Sequence, residues 1–239
     1  MLERYDRQIA YEGIGKAGQE KISKSKVCVI GCGALGTTIL NSLCRSGIGH
    51  IIFVDDDTVE LTNLQRQMLF DENDVGKYKV HAAFEKLDVI NSEVIIEGYV
   101  DKISADNISI YAEDCDIILD ATDNFQTRQV INTYCIANNK PWIYGGVAGS
   151  CGMATTIIPF KTPCLNCLSD FKTNEGYTAK TSGIINAITA SIGSIEANLA
   201  IRYLIDKPSD KFIYLDLFND IFECFELKQN PNCKICGNK

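Results

Sequence analysis

The sequence predicts an α/β fold built on a Rossmann-like, doubly wound sheet. Two short and almost wholly apolar segments, Lys26–Gly31 and His50–Asp55, enclose a helical pattern over Ala34–Ser46 that ends at Gly47. Strands that lack polar alternation are typical of a parallel sheet covered on both faces. The order strand, helix, strand therefore indicates a βαβ unit at the start of a mostly parallel sheet.

The same alternation continues, less regularly, as far as Gly145. On the N-terminal side of the unit, Gly13–Ile22 indicates one or two amphipathic helices. Further helices are predicted over Lys77–Ile90, Ile103–Tyr111 and Phe125–Asn138, and further strands over Val94–Glu97, Asp116–Asp120 and Trp142–Gly145.

The pattern changes after Gly145, where alternating segments replace wholly apolar ones. Ile184–Leu204 is the longest segment with helical apolar periodicity, so we predict a core helix there. The polar stretch Ser169–Ser182 before it predicts a long loop. Antiparallel strands are predicted over Met153–Pro159, Phe212–Leu217 and Ile221–Leu227, the last two forming a hairpin.

Composition and charge argue against several classes of function. The formal net charge of −8 disfavours nucleic acid and anionic membrane surfaces, because both attract clusters of lysine and arginine. No apolar run reaches the roughly 20 residues that a membrane-spanning helix needs, and the charged N-terminus lacks the apolar core of a signal peptide. We therefore expect a cytoplasmic protein whose eleven cysteines are reduced or bound to metal.

A glycine-rich turn, Gly31-Cys-Gly33-Ala34-Leu-Gly36, joins the first strand to its helix. Such glycines permit a tight turn and close approach of a phosphate, and the helix N-terminus adds free N–H groups and a positive dipole end. Asp55 ends the next strand, nineteen residues after Gly36, where it can accept hydrogen bonds from ribose hydroxyls. The turn predicts a nucleotide site, but alone it does not separate NAD from ATP or exclude a purely structural role.

Three charged residues after predicted strands favour ATP: Arg66, Lys79 and Asp123. A nucleotidyl-transfer site needs cations that neutralise charge on the leaving pyrophosphate and a carboxylate that holds Mg²⁺. Hydride transfer needs neither. Each residue also has a structural alternative: Arg66 as a surface ion pair, Lys79 as a solvated helix charge, and Asp123 as a helix N-cap.

Six motifs occur in a fixed order along the chain: Arg4-Tyr-Asp-Arg7-Gln8, the Gly31–Gly36 turn, Asp55-Asp-Asp57, Asn63-Leu-Gln-Arg66-Gln67, Lys79 and Thr122-Asp123-Asn124. As a set they resemble the ThiF/MoeB/HesA family, whose members are similar to the adenylation domain of ubiquitin-activating enzymes. The resemblance extends from about residue 3 to residue 237, so it covers nearly the whole chain.

The resemblance implies ATP-dependent adenylation of a small ubiquitin-like sulfur carrier protein that ends in Gly-Gly, followed by sulfur transfer from a separate donor. It also implies a homodimer in which Arg7 reaches the ATP phosphates of the partner's site. Within one chain, Arg66 and Lys79 would contact phosphates, Asp55 the ribose and Asp123 the magnesium. The residues expected at the nucleotide are Gly31, Gly33, Ala34, Gly36, Asp55, Asp57, Asn63, Arg66, Gln67, Lys79, Asp123 and Asn124.

The same resemblance sets the expected organisation of the chain. Residues 1–239 would form a single adenylation domain. Residues 1–25 would supply N-terminal helices, 26–146 the nucleotide-binding βα core, and 147–239 the carrier-binding strands, the crossover loop and a zinc knuckle.

Two Cys-x-x-Cys pairs, Cys164–Cys167 and Cys233–Cys236, lie in the C-terminal part of the chain. Together they offer four thiolates, the ligand set of a tetrahedral zinc site with no open position and hence a structural role. An iron–sulfur cluster, a disulfide and free thiols remain as alternatives. Many members of the family carry this pair of knuckles, which agrees with the zinc prediction.

One departure concerns a cysteine through which many relatives form a covalent link to their carrier. It usually stands in a Thr-Cys context in the crossover loop, and the matching position here is Ala179. No cysteine occurs in Ser169–Ser182, so this loop lacks a nucleophile for thioester or persulfide chemistry. Adenylation is unaffected because that step needs no enzyme nucleophile.

Three alternatives stay open at the level of sequence. The first is adenylation of a peptide C-terminus during peptide maturation, which the absent loop cysteine favours. The second is an NAD-dependent oxidoreductase, which leaves Arg66, Lys79 and Asp123 without a role. The third is a non-catalytic binding module stabilised by zinc, which predicts no nucleotide binding.

Overall fold

The computed structural model describes residues 3–168 and 183–237, which contain one eight-stranded sheet with helices on both faces. The strands are β1 (Lys26–Ile30), β2 (His50–Val54), β3 (Ile95–Tyr99), β4 (Ile117–Asp120), β5 (Trp142–Ala148), β6 (Cys151–Ile157), β7 (Lys211–Asp216) and β8 (Ile221–Glu226). The α-helices are α1 (Asp6–Ile9), α2 (Gly15–Ile22), α3 (Ala34–Ser46), α4 (Lys79–Ile90), α5 (Ile108–Ala112), α6 (Phe125–Ala137), α7 (Leu165–Leu168) and α8 (Asn186–Leu204). No helix in these two ranges is long and apolar enough to cross a bilayer.

The strand order in the sheet is β3-β2-β1-β4-β5-β6-β7-β8. The first five strands of that order run parallel, and β6, β7 and β8 pair antiparallel. This confirms the predicted doubly wound sheet with antiparallel C-terminal strands. The chain reverses direction across the sheet between β1 and β4, and the crevice at the carboxyl ends of such strands is where open α/β sheets bind ligands.

The inner strands β1, β2 and β4 are apolar at nearly every position because both faces of the sheet are covered there. On one face, Val27 and Val29 of β1 join a core built with α3 and α8. On the other face, Cys28 and Ile30 join a second core built with α5, α6 and the cysteine knuckles. Each fully buried aliphatic side chain contributes about 1.5–3 kcal/mol of transfer free energy, so the two cores hold the parallel strands rigidly behind the crevice.

Most element boundaries agree with the sequence prediction, and α3 ends at Gly47 in the left-handed conformation at φ 78°. The predicted helix over 103–111 is wrong in its first half, since α5 begins only at Ile108. Asn107 Oδ1 accepts hydrogen bonds from the backbone N–H and the hydroxyl of Ser104, and such local bonds compete with helix formation. The predicted loop over Ser169–Ser182 lies outside the described residues.

Candidate active site

The carboxyl ends of the parallel strands open onto a cleft of about 370 Å³. The cleft lies at the point where the strand order reverses, as expected for a ligand site in this architecture. The structure brings ten of the predicted nucleotide residues to its walls: Gly31, Gly33, Ala34, Asp55, Asp57, Arg66, Gln67, Lys79, Asp123 and Asn124.

Each of the three glycines of the turn is needed for a different structural reason. Gly31 has φ 101°, and a Cβ there would lie 2.6 Å from the carbonyl oxygen of Ala121. A Cβ at Gly36 would overlap the carbonyl of Gly31, so Gly36 serves the packing of α3 on β1 and does not line the cleft. A Cβ at Gly33 would meet only the amide nitrogen of Gln67, at 3.8 Å. The protein therefore leaves open space beside Gly33 and the N-terminus of α3, where a phosphate can approach the backbone.

Asp55 is fixed to the glycine-rich turn. Its Oδ2 accepts a hydrogen bond from the backbone N–H of Cys32 at 2.6 Å, and its Oδ1 accepts one from Asp57 N–H at 2.8 Å. Burial raises the pKa of the Asp55 carboxyl, while Lys79 and these two N–H groups oppose that rise. The arrangement presents a carboxylate of fixed orientation, as ribose binding requires.

Lys79 is the first residue of α4, and its side chain is only 7% exposed. The alternative of a solvated helix charge is therefore wrong. Its ammonium pairs at 2.8 Å with Asp57, whose side chain is 68% exposed. A cation whose ion-pair partner among the described residues is exposed to solvent can exchange that partner for phosphate oxygens.

Arg66 follows a short 3₁₀ turn, Leu61–Asn63, and donates through Nη1 to the carbonyl of Thr62 at 3.0 Å. It has no ion-pair partner among the described residues, so the alternative of a surface ion pair receives no support. Asn63 does not line the cleft: its Oδ1 accepts from Glu60 N–H and closes the turn from which Arg66 projects. This bond gives Asn63 a role in positioning Arg66, and a direct contact of Asn63 with a nucleotide stays a prediction.

Asp123 and Asn124 are neighbours in sequence, but only one of them caps helix α6. Asn124 is the N-cap of α6, because its Oδ1 accepts from Thr127 N–H at 2.8 Å. The alternative that Asp123 caps this helix is therefore wrong. Asp123 is exposed at the cleft rim and has no hydrogen-bond or ion-pair partner in the described part of the chain. Its carboxylate fits a magnesium ligand, since hard cations prefer such oxygens.

Arg7 lies in α1, is exposed and is not among the residues that line the cleft of its own chain. A role for Arg7 at this chain's own nucleotide receives no support from that placement. A role at a partner's site stays a prediction.

Sequence reasoning missed an ion pair in the cleft wall. Arg128 donates through Nε to Asp120 Oδ2 at 2.9 Å, and the Asp120 side chain is completely buried. Nη2 of Arg128 bonds the carbonyls of Thr122 at 2.7 Å and Gly145 at 2.9 Å. The spacing of the two residues in the sequence could have indicated this pair. Arg128 follows Asp120 by eight residues, which places it one turn into the helix after that strand.

Asp101 and Lys102 also line the cleft and were not predicted. They follow β3 after one intervening residue, Val100, so the rule that sites gather at the carboxyl ends of parallel strands includes them. Asp101 accepts a hydrogen bond from the hydroxyl of Tyr111, and this bond is the main reason that its pKa is lowered.

The four knuckle cysteines come together on the face of the sheet opposite to α8. All are buried, and their sulfurs lie within 4.8 Å of one another. The Sγ–Sγ distances are 3.9 Å for Cys164–Cys167, 3.7 Å for Cys164–Cys233 and 3.4 Å for Cys167–Cys236. Zinc with Zn–S bonds of about 2.3 Å needs tetrahedral S–S separations of about 3.8 Å, so the cluster fits this ion.

A family model described as the ThiF family matches residues 5–235. The chain belongs to the ThiF family. The resemblance seen in the motifs is thereby confirmed, together with the fold that it implied.

Curated relatives of this ThiF-family chain are adenylyltransferases. It is 37% identical to the sulfur carrier protein ThiS adenylyltransferase of Bacillus subtilis (strain 168), covering 100% of this chain and 73% of the relative. It is 33% identical to the molybdopterin-synthase adenylyltransferase of Escherichia coli (strain K12), covering 98% and 96%. The prediction of an adenylyltransferase, and with it the use of ATP, is confirmed, and the oxidoreductase and non-catalytic alternatives are wrong.

Among solved structures, E. coli MccB in complex with ATP matches with a TM-score of 0.87 and 26% identity, covering 98% of this chain and 74% of MccB. E. coli MccB with AMPCPP and MccA matches with a TM-score of 0.87 and 27% identity, covering 98% and 74%. The ThiF-family fold described above is therefore shared over nearly the whole chain.

Proposed function

We propose that this chain adenylates the C-terminal glycine carboxylate of a small ubiquitin-like sulfur carrier protein that ends in Gly-Gly. The observation that carries the proposal is the grouping of Gly33, Asp55, Arg66, Lys79 and Asp123 around one cleft. The names of the relatives support this substrate class, since they include ThiS adenylyltransferases and a SAMP-activating enzyme E1 of Haloferax volcanii that is 32% identical.

In this proposal the ATP phosphates lie against Gly33 and the N-terminus of α3. Asp55, which the N–H of Cys32 already orients, accepts hydrogen bonds from the ribose. Arg66 and Lys79 neutralise the phosphate oxygens as Lys79 leaves its exposed partner Asp57. Asp123 holds Mg²⁺, which would neutralise further charge on the phosphates.

The reaction needs no general base. A carboxylate oxygen of the carrier attacks the α-phosphorus of ATP, and the bond from that phosphorus to the oxygen bridging to the β-phosphate breaks. Acyl-adenylate forms and pyrophosphate leaves with the electron pair. Because the nucleophile is already an anion, catalysis consists of positioning and of neutralising charge on the leaving group. Sulfide-level sulfur from a separate donor then attacks the acyl carbon, the acyl C–O bond breaks, AMP leaves and a thiocarboxylate forms.

The same proposal includes a homodimer in which Arg7 of each protomer reaches the nucleotide site of its partner. Its support is the exposure of Arg7 outside the cleft of its own chain. Mixing Arg7→Ala and Lys79→Ala variants, each inactive alone, tests it. Random exchange of subunits would restore about a quarter of the parental activity, since half of the dimers are mixed and each has one complete site. Absence of any restoration after verified subunit exchange would contradict the shared site.

Zinc at the four knuckle cysteines and a single adenylation domain complete the proposal. The zinc would connect the C-terminal segment to the segment after β6 without taking part in the chemistry. Within residues 1–239, we assign 1–25 to N-terminal helices, 26–146 to the nucleotide-binding core and 147–239 to carrier binding and the zinc knuckle.

A second candidate is adenylation of a peptide C-terminus. Two observations favour it: the presence of Ala179 at the position of the family's loop cysteine, and the similarity to MccB in complex with AMPCPP and MccA. The chemistry at the α-phosphorus would be identical, and only the acyl substrate would differ.

ATP–pyrophosphate exchange tests both candidates in one assay. Purified chain, Mg·ATP and labelled pyrophosphate are combined with a panel of small Gly-Gly carriers, the same carriers without the terminal glycine, and short peptides. Exchange that depends on a carrier with its terminal glycine supports the first candidate, and exchange only with peptides supports the second. No exchange with any substrate, under conditions where a related adenylyltransferase is active, would contradict adenylation.

A further inference from the structure

Glu196 is an acid in the middle of α8, and it is completely buried. Its carboxyl lies directly against Gly145 of β5, where a Cβ on that glycine would overlap it. Neither carboxyl oxygen has a hydrogen-bond partner among the described residues. A charged carboxylate in such a place would carry a penalty of several kcal/mol, so the position needs an explanation.

The backbone next to Glu196 is where Arg128 is anchored. The same Nη2 of Arg128 bonds the carbonyls of Gly145 and Thr122. It thereby ties the start of the turn that carries Asp123 to strand β5. The position of the proposed magnesium ligand thus depends on Arg128 staying where it is.

The charges around Glu196 come from three elements packed near it. They are Asp120 of β4, Arg128 of α6 and Tyr144 of β5, whose ring lies 5.3 Å from the Arg128 guanidinium. Asp120 already pairs with Arg128 at 2.9 Å, so a second negative charge would have no cation of its own. Complete burial, and after it the charge of Asp120, raise the pKa of Glu196 well above that of an ordinary glutamic acid.

We propose that Glu196 is a positioning residue that works as an uncharged acid, filling the space against Gly145 and leaving Arg128 bound to Asp120, Thr122 and Gly145. When Glu196 loses its proton as the pH rises, its carboxylate competes with Asp120 for Arg128. Arg128 then releases Thr122, and the turn loses the geometry that presents Asp123. The inference rests on the proposed adenylation function and adds to it an internal limit on activity at high pH.

The test compares the pH profile of ATP–pyrophosphate exchange in the parent, Glu196→Gln and Glu93→Gln. Glutamine has the shape of the uncharged acid but does not ionise. Glu93 is an exposed acid that does not line the cleft, so its replacement controls for the change in net charge. We expect Glu196→Gln to keep most of the parental rate at neutral pH, because glutamine conserves the volume of the side chain and is uncharged. Its activity should persist at alkaline pH where those of the parent and Glu93→Gln decline. Coincident alkaline limbs in all three proteins would overturn the proposal.

The KM for magnesium separates positioning from general stability. In the parent it should rise with pH before kcat falls, because the metal ligand is displaced while the fold persists. In Glu196→Gln it should stay constant over the same range. Parallel loss of kcat at constant KM in the parent would assign Glu196 a merely structural role and overturn the proposal.

Infrared spectroscopy tests the protonation state of Glu196 independently of enzymatic activity. The parent at neutral pH should show the carbonyl band of a protonated, buried carboxylic acid, and Glu196→Gln should lack it. Absence of that band in the parent would overturn the proposal even if exchange were normal. Presence of the band in a protein that adenylates no substrate would support the uncharged acid and contradict only the proposed function.

Discussion

The ammonium of Lys79 lies 2.8 Å from the carboxylate of Asp57, and the two side chains differ sharply in exposure, at 7% and 68%. The lysine is fixed in the cleft wall, while its partner faces solvent. Because Asp57 already faces solvent, phosphate oxygens can replace it at Lys79 without leaving a buried charge unpaired. The pair therefore keeps a buried ammonium group at the cleft wall, where the phosphates of a nucleotide can bind it.

Replacement of that cation should slow adenylation. For Lys79→Met we expect the exchange rate to fall by about 10²–10³, the range for losing one electrostatic donor in an active site. Lys77→Met is the matched control, because Lys77 pairs with Asp74 and Glu85 outside the cleft. Exchange kinetics at saturating substrate measure the difference. Equal rates in the two variants would remove Lys79 from the site.

Substitution of Asp123 should impair activity, whereas substitution of its neighbour Asn124 should impair stability. Asp123→Ala should abolish most exchange and raise the magnesium requirement while the melting temperature stays near the parental value, because Asp123 has no partner in the described structure. Asn124→Ala should lower the free energy of unfolding by about 1 kcal/mol through loss of the N-cap. Metal titration of exchange and chemical denaturation check the two expectations. Full exchange in Asp123→Ala would exclude a magnesium ligand there.

Arg128 should be important for stability as well as for the cleft. Arg128→Met leaves the fully buried Asp120 without its cation, and breaking a buried pair in this way costs about 3–5 kcal/mol. Urea denaturation of the variant measures this loss. Arg45→Met is a suitable control, since the hydrogen bond that Arg45 makes within the described residues is an exposed one to Asn41 of α3. A loss as small as that of the control would contradict a structural role for the pair.

The cysteine cluster predicts one zinc per chain. Cys233→Ala should lose the metal and lower the melting temperature, whereas Cys224→Ala, at an exposed position of β8, should keep both unchanged. Metal analysis with calorimetry decides between these outcomes. Iron in place of zinc would favour the iron–sulfur alternative, and full metal retention by Cys233→Ala would exclude Cys233 as a ligand.

Glu196 predicts a pH dependence of stability with a definite sign. Its pKa is raised in the folded state by burial and by Asp120, so the folded protein retains a proton that the unfolded chain loses near pH 4.3. The stabilising contribution of the uncharged acid is fully present below that pH and is lost as pH rises towards the folded pKa. Relative to Glu196→Gln, the parent should therefore lose about 1.4 kcal/mol of unfolding free energy per pH unit in that window. Denaturation at several pH values measures this slope, and a constant difference would contradict it.

Much of the fold was predictable because its signals are local. Apolar strands, the helical period of α3 and the left-handed Gly47 follow from side-chain pattern and backbone sterics within short windows. The glycine-rich turn and the cysteine pairs carry their chemistry in residue type and spacing. Boundaries failed where side chains bond the nearby backbone, as at Asn107, because such bonds compete with a helix that the apolar pattern favours.

The sequence by itself determined that this chain has a doubly wound sheet with a glycine-rich turn and two cysteine knuckles. Only the tertiary structure decided that Asn124 caps α6 while Asp123 has no partner among the described residues, and that Asp120, Arg128 and Glu196 meet beside Gly145. For the grouping of Asp120, Arg128 and Glu196, the physical reason is distance along the chain. The electrostatic state of a buried acid such as Glu196 depends on residues of β4, β5 and α6 that reach it only after the sheet and α8 have packed together.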